Sequence, residues 1–133
     1  MTPEITGLDH VQIAIPVGGE PAARAFYGSL LGLTEVEKPR PLAARGGCWF
    51  TGNGIVLHLG TDSDFRPARK AHVALLVNDL RALQRKLDAA GVTTRDDEVD
   101  IGVRRFYADD PFGNRLELID VADAGFTERP PGH

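Results

Sequence analysis

The sequence predicts an α+β protein built from two copies of one strand–helix–strands unit. Three observations predict it. Alternating strand patterns begin near Leu8 and again near Lys70, each runs into an amphipathic stripe closed by a glycine, and matched glycine and polar positions align between the halves. At 133 residues, 42% hydrophobic and 26% charged, the chain has the composition of one globular domain. We expect a single domain of two repeated modules, about 7–66 and 67–122, with 123–133 as a flexible tail.

Residues 8–15 read as a strand, because Val11, Ile13 and Ile15 alternate with His10, Gln12 and Ala14. Pro21 opens a helix whose stripe is Ala22, Ala25, Phe26, Ser29 and Leu30, and Gly32 ends it. After a loop around Pro39 and Pro41, residues 47–51 and 55–59 flank Gly52-Asn53-Gly54, the signature of a β-hairpin. The second half repeats this order. Val73, Leu75 and Val77 alternate with His72, Ala74 and Leu76; Asp79 is placed as a helix N-cap; Leu80, Leu83, Leu87 and Ala90 form the stripe, ended by Gly91. A short segment at 92–94, a run at 103–108, a turn at 109–114 and an alternating segment at 115–119 complete the chain.

The halves superimpose residue by residue. His10-Val11 falls on His72-Val73, and Gly32-Leu33 on Gly91-Val92. Gly54, Leu57, His58 and Leu59 fall on Gly113, Leu116, Glu117 and Leu118, once a short deletion is placed in the second strand-to-helix connection. The repeat sorts the polar residues that interrupt apolar strands: His10 and His72 occupy one equivalent position, His58 and Glu117 another. Strand alternation sends all four away from the apolar face. Three imidazoles and a carboxylate suit a divalent transition metal (Zn, Ni, Co, Fe or Mn), whereas calcium and magnesium prefer all-oxygen sites. The remaining histidine, His133, is terminal.

On Glu117's parity lie Arg105 and Tyr107, read as substrate-facing catalytic groups. Arg105 is expected to hold a carboxylate or phosphonate, and Tyr107 to donate a proton or hydrogen bond. Gln12 shares the face of His10. Cys48 and Phe50 are expected to line the wall, Cys48 as an inert thiol.

Leu8-Asp9-His10-Val11, the Phe26-to-Leu33 segment, Ala71-His72-Val73-Ala74 and above all Asp110-Pro111-Phe112-Gly113-Asn114-Arg115-Leu116-Glu117-Leu118 resemble the vicinal oxygen chelate superfamily. That group holds glyoxalase I, fosfomycin- and bleomycin-resistance proteins and extradiol dioxygenases. The resemblance implies paired βαβββ modules forming a curved eight-stranded sheet or cup around a metal with ligands His10, His58, His72 and Glu117. It also implies a homodimer and a small-molecule substrate. Glyoxalase I relatives usually carry a second Glu, or a Gln, around the position of His58, so Glu117 would serve as the only carboxylate base here. The expected activity is that of a metal-dependent lyase or isomerase acting on a small oxygenated or thiol-conjugated metabolite. The alternatives are an Fe(II) extradiol dioxygenase, a fosfomycin-type thiol transferase, or a non-enzymatic drug-binding protein.

Charge and hydropathy narrow the partners. Fifteen basic against nineteen acidic residues give a net charge of −4, interspersed along the chain, which disfavours nucleic acid and anionic membrane. The run from Val73 to Val77 is far shorter than the ~20 residues a membrane span needs. A Met start without a cationic-then-apolar stretch, and a single cysteine, lead us to expect a cytoplasmic protein.

Overall fold

In the computed structural model, which describes residues 2–97 and 99–128, the alternating segments form eight strands hydrogen-bonded as two four-stranded sheets. The chain divides into two units, Met1–Arg66 and Pro67–His133, each holding one sheet. The α+β class is as expected, with the eight strands hydrogen-bonded as two four-stranded sheets.

The first unit runs β1 (Val11–Pro16), α1 (Glu20–Ala23), a π-helical stretch (Arg24–Leu30), β2 (Thr34–Val36), α2 (Arg40–Ala43), β3 (Cys48–Gly52) and β4 (Ile55–Asp62). The sheet order is β1-β4-β3-β2, with β1 parallel to β4 and the other neighbours antiparallel. The predicted strand at 8–15 starts later, at Val11, where the pairing with β4 begins, and Leu8 is 89% exposed. The hairpin is as predicted. Gly52 pairs with Ile55 across Asn53 (φ 49°) and Gly54 (φ 82°), the two positive-φ residues of a tight two-residue turn.

The helical stripe needs correction. Ala22, Ala25 and Ser29 face solvent, and the buried residues are Ala23, Phe26 and Tyr27. The Leu31 N–H donates to the Phe26 carbonyl at 2.9 Å, a wider winding than an α-helix. Two adjacent aromatic rings have far more area to bury than alanine or serine, so they set which side faces the sheet. Tyr27 packs near Phe50 with ring centroids 6.2 Å apart.

The second unit runs β5 (Val73–Val77), α3 (Leu80–Ala89), β6 (Thr94–Asp96), β7 (Arg105–Asp109) and β8 (Arg115–Asp120), followed by single turns at Val121–Asp123 and Phe126–Glu128. Its order, β5-β8-β7-β6, repeats the first. Asp79 caps α3 as predicted, accepting from the Ala82 N–H at 3.1 Å, and Leu80 and Leu87 bury the helix's apolar stripe. Asp123 accepts from the Arg104 N–H at 2.9 Å, which ties the end of the described chain to the start of β7. Residues 129–133, including His133, lie outside the described residues.

The register carries the repeat into three dimensions. Val11 pairs with Leu57 as Val73 pairs with Leu116, and Trp49 faces His58 as Tyr107 faces Glu117. One face of each sheet is core: Leu57, Leu59, Cys48 and Phe50 in the first unit, Leu116, Leu118, Phe106 and Ala108 in the second. The opposite face carries the polar residues singled out in the sequence.

The turn between β7 and β8 shows why its residues are what they are. Asp110 and Asn114 are both buried. Asp110 Oδ1 accepts the Phe112 and Asn114 N–H groups, each at 2.9 Å, and its Oδ2 accepts the Asn114 side-chain amide at 2.9 Å. Asn114 Oδ1 in turn accepts the Ala68 N–H at 2.9 Å. Gly113 sits at φ 90°, which favours glycine. The motif that most resembles a family signature is therefore a scaffold that aims β8, and with it Glu117. Among the described residues no helix is long and apolar enough to cross a membrane.

Candidate metal centre

Glu117 sits mid-strand on β8, opposite Ala74 on β5 and Tyr107 on β7. The small side chain of Ala74 leaves room for His72, just before β5, to reach over. His72 Nε2 lies 2.9 Å from Glu117 Oε1, while His72 Nδ1 lies 2.9 Å from the Lys70 carbonyl. Arg105, two residues from Tyr107 on β7, donates to Glu117 Oε2 at 3.1 Å.

Two further contacts complete this half. Arg105 also donates to Asp97, and the Tyr107 hydroxyl donates to Asp97 Oδ2 at 3.3 Å. Asp97 is the residue that sequence reasoning missed; it follows β6 in a loop without periodicity, so no pattern marked it. The Val99 N–H, and then Arg105 and Tyr107, hold its carboxyl below the usual range. Burial works against the Arg105 charge, but the hydrogen bond it donates to Glu117 and the surrounding acidic groups outweigh it and raise its pKa. Burial and then the Glu117 charge push the Tyr107 phenol upward, so it is held as an O–H donor. The fork of Arg105, expected to hold a substrate anion, is instead spent on Glu117 and Asp97.

The first unit carries the other pair. His58 on β4 is 8% exposed and stacks flat against Trp49, with centroids 3.8 Å apart and planes 2° apart. The His10 ring stacks on it at 4.1 Å. His10 Nδ1 lies 2.8 Å from Asp9 Oδ2, which orients the ring and leaves Nε2 free to ligate. Among the described residues, none hydrogen-bonds a ring nitrogen of His58. Cys48 and Phe50, expected on the wall, are each 1% exposed and pair in register with Leu59 and Leu57, so they belong to the core. The wall residue is Trp49, between them. Its parity with His58 across the short Asn53-Gly54 turn was the available signal. Burial pushes the Cys48 thiol up to about 11, which fits an inert thiol. Gln12 lies against the bare Cα of Gly60, where an added Cβ would come within 2.7 Å of its amide nitrogen.

The four predicted donors are thus brought together as two pairs, one in each unit. Among the described residues, no group of three or more His, Cys, Asp or Glu side chains gathers as a metal site. The His72 pair nevertheless fits a cation. The Lys70 carbonyl can only accept, so in the neutral ring the proton is on Nδ1 and the Nε2 lone pair faces a carboxylate oxygen. A ring protonated on both nitrogens bonds both acceptors, and in the neutral ring a cation between Nε2 and the carboxylate would take the place of the second proton. A carbonyl on the far nitrogen is the usual second partner of a ligating histidine, so His72 Nε2 and Glu117 Oε1 could serve as two donors to one ion.

Burial, and then the neighbouring His10, hold the His58 imidazole below its ordinary value of 6.5. The unfolded chain therefore takes up this proton at higher pH than the folded one, and stability falls as pH drops below about 6.5. In the metal-free protein the denaturation midpoint should decline on acidification through that range, and His58→Gln should flatten the decline. An unaltered slope in the variant would assign the effect to another group.

Two sheets of four strands, each in the order of a βαβββ unit, with a polar face carrying histidines and a glutamate, define the class. The model of the Glyoxalase/Bleomycin resistance protein/Dioxygenase superfamily matches residues 7–118, and the chain belongs to that superfamily. It is similar to a glyoxalase family protein from Bacillus anthracis at 44% identity, covering 90% of this chain and 98% of that one, with a TM-score of 0.84. The fold is also that of the fosfomycin resistance protein FosX from Listeria monocytogenes (16% identity, 88% and 94% covered, TM-score 0.72). A glyoxalase/dioxygenase from Nostoc punctiforme shares it as well (23% identity, 90% and 98% covered, TM-score 0.66). No curated protein matches the chain.

Proposed function

We propose that this chain is a divalent-metal-dependent enzyme of the vicinal oxygen chelate type, a lyase or isomerase acting on a small oxygenated or thiol-conjugated metabolite. The observation that carries the reading is the His72 ring, whose two nitrogens both face oxygen acceptors at 2.9 Å. His10, His58, His72 and Glu117 would hold Zn, Ni, Co, Fe or Mn, drawn from one chain or from two copies of it. Such an ion supplies Lewis-acid stabilisation of negative charge developing on two adjacent substrate oxygens.

The chain's own residues supply the proton chemistry. Glu117 takes a proton from one substrate carbon and returns it to the adjacent carbon or to the leaving group. Arg105 fixes the second carboxylate oxygen, so the base keeps one orientation through the reaction. Tyr107, held protonated, would turn its one O–H from Asp97 to donate a hydrogen bond to substrate oxygen. Asp97 positions both Arg105 and Tyr107. The setting we propose is a cytoplasmic homodimer, supported by the lone cysteine and by the strand edges that each small sheet leaves to be covered.

The test begins with protein purified without chelator or histidine tag, loaded separately with each candidate metal. About one tightly held ion per four-donor site is expected. A substrate screen follows with the bound ion. Thiol-dependent turnover supports the lyase, isomerase or transferase branch, and oxygen uptake with a catechol identifies a dioxygenase instead. Absence of bound metal would contradict the enzyme reading and leave a small-molecule binding protein.

A further inference from the structure

The face that carries Glu117 is unequally charged. Arg69, Arg95, Arg105 and Arg115 stand there with Asp97, Asp109 and Glu117, four cations against three anions. Three of the cations have acidic partners. Arg105 has Glu117 and Asp97; Arg69 and Arg95 share Asp109, at 2.7 Å and 3.4 Å. Arg115 has none among the described residues, although Asp109 is its register partner across the ladder.

Its guanidinium lies over the Tyr107 ring, 5.5 Å from the centroid. The Nε is enclosed and meets no acceptor. The terminal nitrogens are neither enclosed in that way nor paired, so they are the ones a ligand would meet. A half-buried cation without an acid is unfavourable for folding, and the repeat shows that the fold does not require it. In the first unit the register positions equivalent to Arg115, Asp109 and Arg95 are Val56, Thr51 and Val36. Only the sheet bearing the carboxylate has acquired these charges.

We infer that Arg115 is an anion-recognition residue. It binds an oxyanion of the substrate, a carboxylate or a phosphonate, two residues along β8 from Glu117 on the same face and backed by the Tyr107 ring. A planar guanidinium with two free terminal nitrogens matches two oxygens of such a group. This inference rests on the proposed function for its statement about substrate, and it reassigns to Arg115 the anion-binding role expected of Arg105.

The test uses metal-free full-length protein, so that the anion site is read independently of the metal. Acetate and methylphosphonate are titrated in separate arms while the Arg115 guanidinium resonances are followed by NMR. A saturable shift with one probe is expected, and the arm that saturates at lower concentration identifies the group. Arg115→Gln should weaken binding about tenfold or more, and Arg115→Lys by less, since it keeps the charge but loses the fork. Arg104→Gln removes an equal charge from the Asp120 and Asp123 pairing and should leave affinity within about twofold. Arg115 resonances that do not move with either probe, or an Arg115→Gln protein that binds as the parent does, overturn the inference. If Arg115→Gln does not fold, the parent's resonances and the lysine variant decide. Anion binding without metal binding would retain the anion site and remove the enzyme reading; metal binding without anion binding would do the reverse.

Discussion

Glu117→Gln is expected to lower metal affinity by at least about a hundredfold and to bring turnover to background, because losing a ligand exceeds the 10–100-fold typical of losing its outer partner. The substitution preserves shape and removes charge. It leaves His72 facing a neutral amide and Arg105 with Asp97 as its remaining acid. His72→Ala should act in the same direction, since it removes the other member of the pair. Metal content by elemental analysis, together with a circular dichroism spectrum that matches the parent, separates loss of the site from loss of the fold. If both variants keep their metal, the ion is bound elsewhere.

Asp110→Ala is expected to destabilise the protein by about 3 kcal/mol or more, with no direct contact to the proposed ligands. The buried carboxylate accepts two backbone N–H groups and the side-chain amide of the buried Asn114, all at 2.9 Å. Alanine leaves those donors buried without acceptors, and water has little room to replace the lost oxygens. Asn114, which links this turn to the Ala68 N–H, loses its anchor at the same time. Urea denaturation measures the effect. A loss below about 1 kcal/mol, the range of one ordinary hydrogen bond, would mean that the turn relaxes and that the motif is not the scaffold for β8.

How much of this could be read from residue order depends on what each position interacts with. The hairpin at Gly52-Asn53-Gly54 and the Asp79 cap are local; a turn conformation and a single side-chain hydrogen bond decide them. The pairing of His72 with Glu117 is distant in sequence but follows from the internal repeat, which fixes both parity and ladder position. The helix phase is not legible in the stripe, because alanine and serine at the right spacing imitate an apolar face while Phe26 and Tyr27 hold the burial. Trp49 shares the parity of His58, whereas the hydrophobic character of Cys48 and Phe50 suits a core as well as a wall. Asp97 had no pattern to betray it, since its role arises only when a loop is laid beside β7. The occupation of Arg105 by two acids is likewise a product of packing.

The central claim is that one ion is held by His10, His58, His72 and Glu117. X-ray absorption at the metal edge, on protein loaded with one of the proposed ions, tests it most directly. The account predicts a first shell of three imidazoles and one carboxylate oxygen, with one imidazole lost in each of His10→Ala, His58→Ala and His72→Ala. A shell that lacks imidazole scattering, or one that keeps all three imidazoles in any of those variants, would contradict it.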